Sequence, residues 1–209
     1  NVSFSLKRGD RVGIIGPNGI GKTTLFRIIL KQVNPAEGNI FYGTNVNIGY
    51  YDQEQTSLNP NNTVLREVWD AFPDLTETQI RNTLALFLFK GDDVFKPVSH
   101  LSGGEKGRVI LAKLMLAGNN FLLLDEPTNH LDMASKEVLE GSLADYTGTM
   151  LVISHDRYFL NKIVNRILVF DENGITEYLG NYNDYLEKKK NQERFKFMNE
   201  EKNKDKTKT

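Results

Sequence analysis

Apolar residues recur at two periods along this chain of 209 residues, and the change from one to the other divides it into elements. Phe4, Leu6, Val12, Ile14 and Ile15 are spaced as strand residues, and the turn at Arg8, Gly9 and Asp10 splits them into two strands. Leu25, Ile28 and Ile29 fall at helical spacing and predict a helix over 23–31. From Asn39 to Gln53 the pattern alternates and is punctuated by glycine, which suits short antiparallel strands. The period then turns helical. Thr63 opens a helix through Val64, Leu65, Val68 and Trp69, and Thr76 with Gln79 has capping-box spacing ahead of Ile80, Leu84, Phe87 and Leu88. Ser102 opens a third helix, with Ile110, Leu111, Leu114 and Met115 on its apolar side.

Further on, Phe121–Leu124 is a continuous apolar run, as expected of a strand covered on both faces of a parallel sheet, and Met150–Ser154 reads as a second buried strand. They alternate with helices over Ser135–Tyr146 and around Leu160, Ile163 and Val164. Ile167–Phe170 and Ile175–Tyr178 flank the turn Asp171–Gly174 and form a closing hairpin. The expected fold is α/β: a mostly parallel sheet with helices on both faces, plus a small antiparallel β part and an inserted helical subdomain. The core covers 1–53 and 118–180, the helical subdomain about 54–117, and 181–209 is a C-terminal extension.

Composition removes some classes. The chain has no cysteine, which excludes disulfides and thiolate metal sites. A formal net charge of −1 gives no global pull toward nucleic acid or membrane, so any such partner must meet a local patch. The longest clean apolar run, Leu84–Phe89, falls far short of the ~20 residues of a membrane span. Asn1 opens the chain without a signal-peptide pattern, as expected of a piece of a longer protein. From Glu187 onward nine Lys/Arg face five Asp/Glu; this basic tail reads as a solvated helix end with a disordered terminus, with RNA phosphate contact as the alternative.

Five segments carry candidate chemistry. Gly16, Pro17, Asn18, Gly19, Ile20, Gly21, Lys22, Thr23 and Thr24 fit the phosphate-loop pattern, with a strand before and a helix after. Glycines let successive N–H groups turn inward on phosphate oxygens, and the helix adds its positive end. Lys22 would neutralise β- and γ-phosphates, and the Thr23 hydroxyl would ligate Mg²⁺. Asp125 closes a buried strand, where ligands bind in open α/β sheets, and can hold the metal. Glu126, one step further, can accept a proton from water. Gln53 follows a strand-like stretch and can reach the metal or the water. His155 ends a second buried strand and can bond a γ-phosphate, though the same position also suits a plain cap; His100 and His130 are weaker candidates. Finally, Leu101–Glu105 starts a helix with Ser102, Gly103 and Gly104, a second anion-binding start that the chain's own phosphate loop does not need. A Ser cap explains the helix but not two glycines in its first turn, where each weakens it.

In that order, phosphate loop (Walker A), Gln53, the Leu101–Glu105 signature, Asp125 with Glu126 (Walker B) and His155, the chain resembles the ATP-binding cassette (ABC) ATPases from residue 1 to about 180. Glu126–Asp132, Ser154–Phe159, Leu179–Tyr182 and Glu105 look like the ABC-F subgroup, and Phe89–Phe95 like the second of its two cassettes. The resemblance implies a P-loop NTPase core that binds ATP and Mg²⁺, with Thr23, Gln53 and Asp125 around the metal. It implies Glu126 as catalytic base, His155 as γ-phosphate switch, and Gln53 beside the attacking water. Ser102, Gly103 and Gly104 would contact ATP held by a partner cassette, and Asp132 would lie at the dimer seam. The family's adenine-stacking aromatic falls upstream of Asn1. Members are cytoplasmic, lack membrane domains, and act on the ribosome near tRNA in translation regulation or antibiotic resistance.

Three functions compete on these features: a translation-factor cassette, the ATPase subunit of an ABC transporter, and a cassette that uses ATP only to hold a dimer together. The intact Glu126 and His155 argue against the last.

Overall fold

The computed structural model of the protein describes residues 2–52, 58–129, 131–192 and 194. At its centre is a six-stranded sheet in the order β2-β3-β4-β1-β5-β6. The strands are β1 (Arg11–Ile15), β2 (Ile48–Tyr51), β3 (Phe121–Asp125), β4 (Thr149–Ile153), β5 (Arg166–Asp171) and β6 (Gly174–Leu179). The first five in space run parallel, and β6 returns antiparallel along β5. Helices α1 (Lys22–Ile29), α2 (Val64–Ala71), α3 (Glu77–Leu86), α4 (Gly103–Leu116), α5 (Met133–Asp145) and α6 (Arg157–Ile163) surround it. A further helix, α7, runs over 182–192.

Side chains of a strand alternate between faces, and both faces here are dry. Val12, Ile14, Leu123, Leu151, Ile153, Leu168 and Phe170 point to one side, where Phe26 and Ile29 of α1 close over them. Leu122, Leu124, Met150, Val152 and Ile167 point to the other, onto Val109 and Ile110 of α4, Leu139 and Leu143 of α5, and Phe159 and Leu160 of α6. That second cluster continues without a break into Val64, Leu65 and Val68 of α2 and Ile80 and Leu84 of α3. Apolar burial thus joins the helical stretch to the sheet. A polar link adds to it: Lys113 Nζ of α4 meets the buried Glu67 of α2 at 2.6 Å, while Asn59 N–H and Asn62 Nδ2 donate to the other Glu67 oxygen.

The helix starts follow their caps. Thr63 accepts from the Arg66 N–H, Thr76 and Gln79 form a reciprocal capping box, and so do Ser102 and Glu105. The end of α3 comes earlier than its apolar spacing suggests. Phe87 and Phe89 both donate to the Leu84 carbonyl, and Leu88 turns into the left-handed region at φ 66°, so Phe87 and Leu88 lie past the helix.

Two expected β segments do not form. Residues 2–7 carry no strand, and the Ser5 carbonyl accepts from Arg166 Nη2 instead of a ladder partner. Residues 39–47 likewise carry none: Tyr42 spends its hydroxyl on the Ile29 carbonyl, and Asn120 braces Asn45 and Asn47. Alternation assigns faces, but a strand needs a paired edge. Ile48–Tyr51 finds one in β3, and the pairing is parallel, so the antiparallel part of the sheet is the β5–β6 hairpin.

Leu139 is fully buried on α5 at the centre of the larger cluster. Leu139→Ala should destabilise the chain by about 2–5 kcal/mol. A shift in the urea midpoint at unchanged slope will report it.

Candidate functional site

Because β1, β3 and β4 are parallel, their carboxyl ends open onto one rim of the sheet, and the loops that follow them converge there. A cleft of about 410 Å³ occupies that rim, lined by Asn18, Gly19, Gly21, Lys22, Thr23 and Thr24 after β1, Asp125, Glu126 and Asn129 after β3, and Ile153 and His155 after β4.

The loop after β1 is shaped by its glycines. A Cβ on Gly16 would come within 2.6 Å of the Phe170 carbonyl oxygen on β5, so the loop lies directly against the sheet. Gly21 caps α1 in the left-handed region at φ 103° without a side-chain bond, leaving first-turn N–H groups of the helix free to meet an anion. Lys22 is buried, and its ammonium donates to the carbonyls of Gly16 at 2.8 Å and Pro17 at 2.9 Å. Burial lowers its pKa, while the charges of Glu126 and Asp125 pull the other way.

Two carboxylates face that lysine. Asp125, 2 % exposed, ends β3 beside Ile153 of β4. Burial pushes its carboxyl above the usual range, against a Thr23 hydroxyl bond that lowers it. Its Oδ2 is buried and has no partner. An orphaned carboxylate oxygen next to a threonine hydroxyl is a donor pair suited to a hard cation, so Asp125 and Thr23 fit Mg²⁺. Among the described residues no group of three or more acidic or histidine side chains is arranged to hold a metal ion by itself, so other positions would fall to phosphate oxygens and water.

Glu126 leaves β3 with a positive φ of 48°. A non-glycine residue in that region is held by its surroundings. Here the Glu126 N–H donates to the Ile153 carbonyl at 2.9 Å and its own carbonyl accepts from Asn129 N–H at 3.1 Å. Its carboxylate is thereby carried across to the end of β4. Oε1 lies 3.4 Å from His155 Nε2, and Oε2 accepts the His155 N–H at 3.3 Å. Burial raises the Glu126 pKa, opposed by His155. The same Nε2 is 3.2 Å from Asn18 Oδ1, so the imidazole bridges phosphate loop and carboxylate.

Sequence reasoning missed Asn129, which lines the cleft three residues after Glu126 in the same loop. It also missed Arg108, whose Nη1 donates to Ser135 at 2.6 Å and whose guanidinium stands 5.4 Å from the Phe89 ring. A basic residue in a helix reads as solvent-facing unless its partners are known. Gln53 and His130 lie outside the described residues; β2, which Gln53 follows, places Tyr51 beside Leu124. His100 ends a short 3₁₀ turn ahead of the signature and is exposed.

Ser102, Gly103 and Gly104 are not among the cleft's lining residues. They begin α4, where Ser102 Oγ accepts the Glu105 N–H and Glu105 Oε2 receives the Ser102 N–H at 2.9 Å. Ser102 and Gly103 are exposed, while Gly104 is buried. Asp132 is also exposed and caps α5 through Ser135 N–H at 2.7 Å.

A phosphate loop, a β3 carboxylate pair and a parallel sheet with β1 between β4 and β5 define a P-loop nucleotide-binding core. The family model described as "ABC transporter" matches residues 1–129, and the chain belongs to that family, as one ATP-binding cassette of it. Its curated relatives include named members of the ABC transporter F family. YdiF of Bacillus subtilis (strain 168) is 55 % identical over 99 % of this chain and 32 % of its own length. The energy-dependent translational throttle protein EttA of Escherichia coli (strain K12) is 45 % identical over 91 % of this chain and 35 % of its own. ABC transporter F family member 5 of Arabidopsis thaliana is 42 % identical over 90 % and 27 %. The chain thus spans about a third of the length of these relatives. Among solved structures, the dimer of MJ0796, a bacterial ABC transporter cassette, shares the fold with a TM-score of 0.73 at 24 % identity, over 86 % of this chain and 89 % of that one. A second structure of MJ0796, bound to ADP and Pi, gives a TM-score of 0.72 at the same coverage. No helix among the described residues is long and apolar enough to cross a membrane.

Burial of Glu126 has a consequence for stability. Its folded pKa is raised, so the folded state binds more protons than the unfolded one between the ordinary and the raised value. Stability from this group therefore falls as pH rises through that window, as the carboxyl gives up its proton in a desolvated site. Glu126→Gln should raise the Tm at pH 7, by about 2–4 °C per kcal/mol relieved. The gain should shrink toward pH 4, where the wild-type carboxyl is itself protonated; calorimetry at the two pH values checks it.

Proposed function

We propose that this cassette binds ATP with Mg²⁺, pairs with a second cassette across the nucleotide, and hydrolyses it to ADP and phosphate. The observation that carries this reading is Glu126: a carboxylate with only 10 % side-chain exposure and a raised pKa, locked at the rim beside His155 and facing Lys22. Asn18, Gly19 and Gly21 present the loop N–H groups to the phosphates, with Gly16, Pro17 and Ile20 shaping it and Thr24 in the first turn of α1. Lys22 moves its ammonium from the Gly16 and Pro17 carbonyls toward the β- and γ-phosphates. Thr23, Asp125 and Gln53 would hold Mg²⁺, which would supply positive charge against the phosphate oxygens. Glu126 takes a proton from the water that attacks the γ-phosphorus as the bond to the ADP oxygen breaks. His155 donates a hydrogen bond to the γ-phosphate.

Ser102, Gly103 and Gly104 stand outside the chain's own cleft, which supports their use on nucleotide held by the facing cassette. In the parent protein that cassette would be the other half of one chain, with this one second in order; for the isolated chain it would be another copy. The role we infer for the parent is ATP-gated action on the ribosome, which the name of EttA supports.

The test is turnover and assembly together. Glu126→Gln should lower kcat by about 10²- to 10⁴-fold and leave an ATP-dependent dimer that size-exclusion chromatography resolves. Wild-type activity per chain should climb with protein concentration through the dimerisation range. A concentration-independent rate would contradict the shared site. Ribosome co-sedimentation of the full-length Glu126→Gln protein that ignores ATP would count against the translational role.

A further inference from the structure

Two consecutive residues of α5, Ser135 and Lys136, carry polar links that the hydrolytic chemistry does not use. Ser135 is fully buried, and its Oγ accepts Arg108 Nη1 of the signature helix at 2.6 Å. Arg108 also lies 4.0 Å from Asp132, so α4 and the cap of α5 are fastened together. On the next residue, Lys136 Nζ donates to Asp156 Oδ2 at 2.9 Å. The other oxygen of Asp156 accepts Phe159 N–H at 3.1 Å and caps α6, while the Asp156 N–H donates to Ser154 Oγ at 3.1 Å. Residues 154–156 are therefore gripped from both sides of His155, whose ring reaches Glu126 and Asn18.

We propose that Lys136 is a positioning residue for His155. Its ion pair with Asp156 anchors the loop after β4 to α5 and thereby, through Ser135 and Arg108, to the helix that starts at Ser102. The edge offered to a partner's nucleotide and the histidine over the chain's own nucleotide are then parts of one rigid connection. The proposal rests on the reading of His155 as the group that meets the γ-phosphate. The Lys136 and Asp156 side chains keep 33 % and 20 % of their exposure, and a pair so accessible adds little to global stability. Its effect belongs in turnover.

Lys136→Ala and Asp156→Asn test this together, since Asn retains the cap of α6 while losing the charge. Each should lower kcat at pairing concentrations by about five-fold or more with KM for ATP unchanged, the scale of a modest coupling between sites. The double variant should fall no further, Lys136→Arg should restore the rate, and Tm should hold. The chain has three histidines, so the His155 imidazole signals can be assigned by NMR. In Lys136→Ala their shift on adding a non-hydrolysable ATP analogue should be diminished. Wild-type kcat with an unaltered His155 response, or a loss of rate tracking a loss of Tm, overturns the proposal. A His155→Ala variant at full rate overturns the reading of His155 and the proposal with it; a slow His155→Ala beside a fast Lys136→Ala removes only the proposal.

Discussion

Parallel pairing of β3 with β4, and of β4 with β1, is the constraint on which the rest of the molecule depends. It brings three strand ends to the same rim, so residues more than a hundred positions apart in the chain share one cleft. The pairing holds because the middle of β3 and of β4 is apolar on both faces: an interior charge at Leu122–Leu124 or Met150–Val152 would need a partner that the helices do not supply. Charge is consequently expelled to the ends of the strands. Asp125 and Glu126 are the first polar residues after the Leu122–Leu124 run.

Concentrating charge at that rim creates an electrostatic conflict. Two carboxylates and one ammonium are withdrawn from water, and burial disfavours the ionised form of all three. The compensation is incomplete, since Asp125 Oδ2 has no partner. Such an arrangement costs stability, and a ligand bringing negative charge to Lys22 and positive charge to Asp125 would relieve it.

What was legible in the chain follows how local each signal is. Caps are read from a few residues, and Thr63, Thr76 with Gln79, and Ser102 all start helices where the sequence placed them. The phosphate loop and the acidic end of β3 are equally local, because the strand before each is a short apolar run. The misjudged segments, 4–6 and 39–47, depended on a partner edge that no local pattern can announce. The same holds for Arg108 and Lys136, whose meaning comes from Ser135 and Asp156 on other elements. Nor could spacing foresee that Glu126 would take a left-handed backbone, which is what carries its carboxylate over to His155.

The contact of Gly16 with Phe170 ties the phosphate loop to a strand that contributes nothing else to the cleft. With the hollow moulded by β5, its curvature is a property of the folded sheet and not something an incoming phosphate must impose. Little conformational freedom is left there to surrender on capture, so recognition can be fast and its affinity can go into closing the larger assembly. Any bulk at position 16 would push the loop off its backing and make each nucleotide rebuild its own cradle.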